Sequence, residues 1–180
     1  MFLELMRKRR SVRRFEARPV EPEKVDLLVE AALRSPSSRG LNPWEIVVVA
    51  DRGMLEKLAA CKEHGAAFLA DAPLGILVAA DSARSDAWVE DASIAALMVQ
   101  LAAEALGLGS CWIQIRNRMR AGGAPAQDYV AGLLGLPAGV MAEAILAVGY
   151  PAEEKRERPR SALRWGQIHA ERYGAPYPRR

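Results

Sequence analysis

Eight residues near the start of the chain, Lys8-Arg9-Arg10-Ser11-Val12-Arg13-Arg14-Phe15, hold five cationic side chains and one serine hydroxyl. Fixed positive charge, forked guanidinium donors and a small hydroxyl together suit a phosphate. A solvated basic arm would have the same composition. A second stretch, Ser35-Pro36-Ser37-Ser38-Arg39-Gly40-Leu41-Asn42-Pro43-Trp44, brings two prolines, three serines, a glycine and an asparagine into ten residues. Its short polar side chains and free backbone groups could meet the edge of a flat heterocycle. The plainer role of the same serines is to turn and cap a loop. A third stretch, Ser110–Ile115, follows a long apolar segment and could present backbone N–H groups to the same ring.

Acid–base and nucleophilic chemistry is thinly supplied. There are two histidines, His64 and His169, and two cysteines, Cys61 and Cys111. Cys61 and His64 have C-x-x-H spacing, but no second pair completes a zinc site, so no metal is expected. The chain has no G-x-S-x-G elbow and no Walker motif. Gly107-Leu108-Gly109 follows a helical pattern, the reverse of a dinucleotide fingerprint. An enzyme with so few proton-transfer groups takes its chemistry from a cofactor.

The elements that must position these stretches can be read from periodicity. Leu3–Arg10 reads as a short helix, and about Glu23–Leu33 as a second, opened by Pro22 with flanking acids. Helices are also expected over 53–60, Trp88–Leu106 and Ala126–Leu134. Weaker ones fall around His64–Ala70 and Trp165–Tyr173. Trp88–Leu106 is apolar on most sides, the mark of a helix buried or shared with a partner subunit. Four apolar runs read as strands: Glu45–Ala50, Pro73–Ala79, Ser110–Ile115 and Ala142–Gly149. Helices separate them, which makes the chain α+β or α/β.

A chain of 180 residues that is 51% apolar can bury one real core and is not disordered. No repeat or long linker divides it, so residues 1–180 form one expected domain. The net charge of +3 is unevenly placed. Residues 1–18 hold seven Lys/Arg and two acids, and residues 152–180 hold eight and four, so the segment between is net acidic by about six charges. Two basic ends could converge on one anionic ligand. A nucleic-acid surface is the competing explanation, but no helix-turn-helix or aromatic-bearing sheet is recognisable. The start of the chain lacks a signal-peptide pattern, and no apolar run reaches the ~18–20 residues of a membrane span. A reducing cytoplasm is the expected compartment.

With these residues in view, the chain resembles the FMN-dependent nitroreductase family over nearly its whole length. Arg9-Arg10-Ser11-Val12-Arg13-Arg14-Phe15 is similar to the family's N-terminal signature. Pro36-Ser37-Ser38 with Asn42-Pro43-Trp44 is similar to its loop, Gly107-Leu108-Gly109-Ser110-Cys111-Trp112 to its approach to a strand, and Gly149-Tyr150-Pro151 to the end of its last core strand. The resemblance implies an α+β, three-layer α/β/α fold. It also implies a mixed, mostly antiparallel sheet and a domain-sharing homodimer with FMN at the interface.

Carried over by position, Arg9 and Arg13 would hold the phosphate and ring edge, with Ser11 as a hydroxyl donor and Arg10 adjoining. Pro36, Ser37 and Ser38 of the partner subunit would border the isoalloxazine, with Asn42 and Asp91 as polar contacts. Ile113 and Gln114 fall where the family places backbone groups near flavin N5 and O4. The implied activity is a ping-pong oxidation of NADH or NADPH with reduction of nitroaromatics, quinones or similar small acceptors, without nucleic acid or membrane.

Two departures stand out. Many members have glycine just after the Gln114 position, where this chain reads Gln114-Ile115-Arg116-Asn117-Arg118. The family's C-terminal phosphate contact must be supplied here by Arg160 or Arg164, in a basic tail over 152–180 expected to dock on the partner. The chain also lacks room for the large lid of members that close over an aromatic amino acid. A flavin-binding protein without turnover and an arginine-rich nucleic-acid binder are the alternatives.

Overall fold

The computed structural model describes residues 2–178. Five helices and four strands follow in order: α1 (Phe2–Lys8), α2 (Pro22–Leu33), β1 (Trp44–Val49), α3 (Arg52–Ala59), β2 (Leu74–Asp81), α4 (Trp88–Ala105), β3 (Gly109–Gln114), α5 (Ala126–Leu134) and β4 (Val140–Gly149). The strands pair in the order β1-β2-β4-β3, every pair antiparallel. A parallel contribution comes from the isolated bridge between Ser11 and Ser110.

Local chemistry sets the boundaries. Pro22 opens α2, where its missing N–H costs nothing. The Asp51 carboxylate caps α3 by accepting from Met54 N at 2.8 Å. Gly107, at φ +74°, ends α4 as the Leu108 N–H returns to the Ala103 carbonyl at 2.8 Å. The α1 helix stops at Lys8, sooner than its periodicity predicts, and frees Arg9 and Arg10 from it. The expected helix around His64–Ala70 is a 3₁₀ turn at Ala67–Asp71. In the tail, the segment expected to be helical over Trp165–Tyr173 reduces to a 3₁₀ turn at Trp165–Gln167. Both segments are too short to repay helix nucleation.

The sheet divides two apolar cores. Leu55, Leu58, Leu69, Leu77, Ile113 and Ile145 pack on the face covered by α3. Leu28, Ile76, Val78, Ala96, Val99 and Leu146 fill the α2 and α4 face. Each fully buried Leu or Ile contributes about 1.5–3 kcal/mol, enough to hold three layers together. No helix among the described residues is long and apolar enough to cross a membrane.

One irregularity bears on the site. Val78 pairs with Ala144 and Ala79 with Ala142, so Glu143 is an extra residue in β4. Such a bulge re-aims a side chain and perturbs the ladder around it.

Candidate functional site

The basic stretch becomes the outer neighbour of β3. Residues 9–15 are non-helical, Val12 N donates to the Ser110 carbonyl at 3.0 Å, and Phe15 bridges to Pro151. Two motif glycines permit this approach. A Cβ on Gly109 would lie 2.8 Å from both Cβ and Cγ1 of Val12. A Cβ on Gly149 would lie 2.6 Å from Pro73 and 3.1 Å from a Phe15 ring carbon. Their lack of a side chain lets Val12 and Phe15 sink into the core, both 9% exposed or less.

Side chains alternate along such an extended segment. Arg9, Ser11 and Arg13 all act on the Cys111 thiol. Burial pushes that thiol up, against the pull of Arg13, the Ser11 hydroxyl, Lys62 and Arg9. Arg13 also lies over the Phe68 ring at 5.8 Å, and its backbone N–H donates to Glu153 at 2.7 Å. Arg10 bonds the Arg156 carbonyl and fastens the tail. Beside it runs a groove of about 970 Å³ whose lining includes Arg7, Arg9, Arg10, Arg158, Arg160 and Trp165. Arg160 lies over the Trp165 ring at 5.4 Å, while Arg164 is exposed and outside that lining. The structure thus groups Arg9, Arg10 and Arg160, and leaves Arg164 apart.

Ile113 and Gln114 end β3. The Ile113 side chain is fully buried, and its backbone faces Ile145 of β4, so Ile113, expected beside the flavin, is taken up by the core and the ladder. Ile115 N donates to the Glu143 carbonyl at 3.0 Å, toward β4. Successive N–H groups alternate along a strand, so the Gln114 N–H points the other way, off the open edge of the sheet. The Gln114 side chain turns inward. Its Nε2 donates to Glu143 Oε1 at 3.0 Å, and its Oε1 accepts from Trp112 Nε1 at 2.8 Å.

The loop before β1 lies at the far edge of the sheet, three strand positions from β3 and therefore about 14 Å away. Within one chain it does not meet Arg9 or Ser11. It is nonetheless tightly built. Ser37 Oγ donates to Asn42 Oδ1 at 2.7 Å and accepts from Asn42 N at 3.0 Å. Arg39 and Asn42 hold positive φ of 53° and 47°, and Arg39 pairs with Asp86. Asp91, 2% exposed, is committed to this loop. Its Oδ1 accepts from Ser38 N at 2.7 Å and its Oδ2 from Ser85 Oγ at 2.9 Å. Pro36 is exposed beside them. Trp44 is buried in the core, and Trp112 is half-buried.

Sequence reasoning passed over three contributors: Ser85, which completes the Asp91 bonds; Trp88, under the Arg116 guanidinium at 5.7 Å; and Glu143. Of these only Glu143 left a signal, a charge inside an otherwise apolar strand.

The arrangement joins a cationic groove to an outward N–H on a rigid strand, as an elongated ligand with an anionic end and a hydrogen-bonding ring would need. Comparison with known proteins points the same way. The Nitroreductase family model matches residues 6–62 and 55–150. The structure of an FMN-dependent nitroreductase from Clostridium difficile R20291 is 43% identical, covers 95% of this chain and 99% of its own, and superposes with a TM-score of 0.93. A Methanothermobacter thermautotrophicus protein, whose name refers to NADH dehydrogenase and NAD(P)H nitroreductase, is 37% identical over 87% of this chain and 80% of its own length. The NADH dehydrogenase of Thermus thermophilus is 30% identical over 82% of this chain and 85% of its own.

Proposed function

Since the chain belongs to the nitroreductase family, we propose that it is an FMN-dependent NAD(P)H oxidoreductase that reduces small acceptors of the quinone or nitroaromatic class. The observation that carries this reading is the junction of the basic stretch with β3, where Ser11 lies against Ser110 and Val12 seats over Gly109. The donor set fits the cofactor. Guanidiniums and a hydroxyl suit a phosphate monoester, and the outward Gln114 N–H suits a ring nitrogen or carbonyl. FMN, when bound, supplies a two-electron carrier that takes hydride from the nicotinamide and gives it up to the acceptor in a ping-pong cycle.

The chain supplies binding and orientation. Arg9, Arg10 and Arg160 hold the phosphate, with Arg160 rather than Arg164 as the tail's contribution because it lines the same groove as Arg9. Ser11 and Arg13 stand along the ring's polar edge. The Gln114 N–H fixes the reacting edge against β3. Pro36, Ser37, Ser38 and Asn42 border the ring from the partner subunit, and Asp91 keeps that loop in shape from behind. No side chain is assigned as general acid; solvent serves.

The reading requires a homodimer, because the loop and the basic stretch lie on opposite sides of one protomer. Exposed Ile94 and Leu97 on α4 and Phe2, Leu3 and Met6 on α1 support such an interface. The start of the tail stays with its own protomer rather than docking on the partner: Arg13 and Arg10 hold Glu153 and Arg156, and Arg160 lines the groove of the same chain's Arg9. Two buried free cysteines support a reducing cytoplasm.

Purified protein should carry flavin absorption that NADH or NADPH bleaches under nitrogen. Colourless protein whose melting temperature FMN does not raise would sink the proposal. Flavin that neither nucleotide bleaches would leave a binding protein without turnover.

A further inference from the structure

Glu143 is 3% exposed, in a strand where Ala142, Ala144, Ile145, Leu146, Ala147 and Val148 are also buried. Its Oε2 has no hydrogen-bond partner. An isolated buried carboxyl oxygen works against folding, so its place in this strand calls for another reason. The geometry shows one. As the extra residue at the β4 bulge, Glu143 takes hold of three successive residues at the end of β3. Its side chain accepts from Gln114 Nε2 at 3.0 Å, and its carbonyl accepts from Ile115 N at 3.0 Å and Arg116 N at 3.1 Å. Gln114 is gripped from the other end by Trp112 Nε1 at 2.8 Å. The Trp112–Gln114–Glu143 chain therefore fixes the strand end from which the Gln114 N–H leaves the sheet.

We propose that Glu143 is a positioning residue for electron transfer, acting through the Gln114 side chain to hold the Gln114 N–H in register with the reacting edge of the cofactor. This rests on the FMN reading above. Glu143 never touches the ligand. Its carboxylate is the nearest of three acceptors of Gln114 Nε2, beside the Arg116 and Glu143 carbonyls at 3.3 and 3.4 Å, and it sets the orientation of the Gln114 side chain. The Glu143 carbonyl holds Ile115 and Arg116 whatever side chain stands at 143. Misplacement of a reacting edge by about 1 Å costs on the order of 100-fold in rate, so a partial loss of this grip shows in kinetics before it shows in binding.

The test uses the FMN-loaded protein and the variants Glu143→Leu and Glu143→Gln. Glu143→Leu should keep its flavin and melt no lower than wild type, because an unsatisfied carboxyl gives way to an apolar side chain. Its reductive half-reaction with NADH or NADPH, followed by stopped flow, should slow about tenfold or more, with a changed visible circular dichroism of the bound flavin. Glu143→Gln keeps an oxygen for Gln114 and should stay within about threefold of wild type. If Glu143→Leu does not fold, Trp112→Phe releases the other end of the Gln114 amide and should give the same dichroic change with a smaller slowing. Wild-type rate and dichroism in Glu143→Leu, or in Trp112→Phe where that stands in, overturns the proposal alone. So does a loss in Glu143→Gln as large as in Glu143→Leu. Wild-type protein that binds no FMN overturns both this proposal and the reading beneath it.

Discussion

Replacing Gly109 by alanine tests how the basic stretch is held. The added Cβ would stand 2.8 Å from Cβ and Cγ1 of Val12 and 2.9 Å from Cγ2, where ordinary contact begins at 3.4 Å. Three carbons of one buried β-branched side chain block it, and a rotamer change moves only two of them. Segment 11–13 must therefore retreat from β3 by about 0.6 Å or more. That stretches the Val12 N to Ser110 carbonyl bond from 3.0 Å to roughly 3.6 Å, beyond a real hydrogen bond. A lost backbone bond costs about 1 kcal/mol, and overpacking adds about 1–3. Urea unfolding should show about 2–4 kcal/mol of destabilisation as a lowered midpoint at unchanged slope. Adding Val12→Ala removes two of the three blocking carbons, so the double variant should lose less than the sum of the singles. A Gly109→Ala protein with the wild-type midpoint, or strict additivity in the pair, would refute the idea that this glycine seats the basic stretch.

Asp91→Ala leaves the Ser38 N–H and the Ser85 hydroxyl without their acceptor. Thermal and urea melts should show about 2–4 kcal/mol of lost stability, while Asp91→Asn, which still accepts from Ser38, should lose about 1. Equal losses would show that the Ser38 bond is not the main contribution. Acid should weaken the contact between α2 and the end of β4. The Tyr150 hydroxyl, a backbone hydrogen bond and Arg18 hold the Glu21 carboxyl down at about 2, against about 4.3 in an unfolded chain. A depressed value means a contribution that is full above the unfolded value and lost as pH falls through the folded one. The difference in melting temperature between wild type and Tyr150→Phe should therefore shrink from pH 5 toward pH 2. A constant difference would count against it.

Much of the fold was legible because its signals are local. A β-branched run marked β1, an apolar run ending at Gly149 marked β4, apolar residues at helical spacing marked α4, and Gly135 and Pro137 bounded α5, which spans Ala126–Leu134 as read. The motif glycines were visible as letters, but their function was not. Gly109 matters because of Val12, nearly a hundred residues earlier, and no local pattern encodes that contact. The inward role of Asp91 depends on Ser38, 53 positions away, and the grip of Glu143 on Gln114 spans 29. The tail misled because its aromatic and apolar residues looked helical, whereas they form short turns against the basic stretch. Arg160 and Arg164 could be separated only once that path was known.

The central claim is that this groove and this strand edge hold an FMN reducible by a nicotinamide. Its most direct test is an anaerobic titration of the purified protein with NADH and, separately, NADPH, followed at the flavin absorption maxima. About one FMN per chain is expected, with full bleaching by at least one donor and colour restored by a quinone. Protein that neither copurifies with FMN nor binds it on addition would contradict the account.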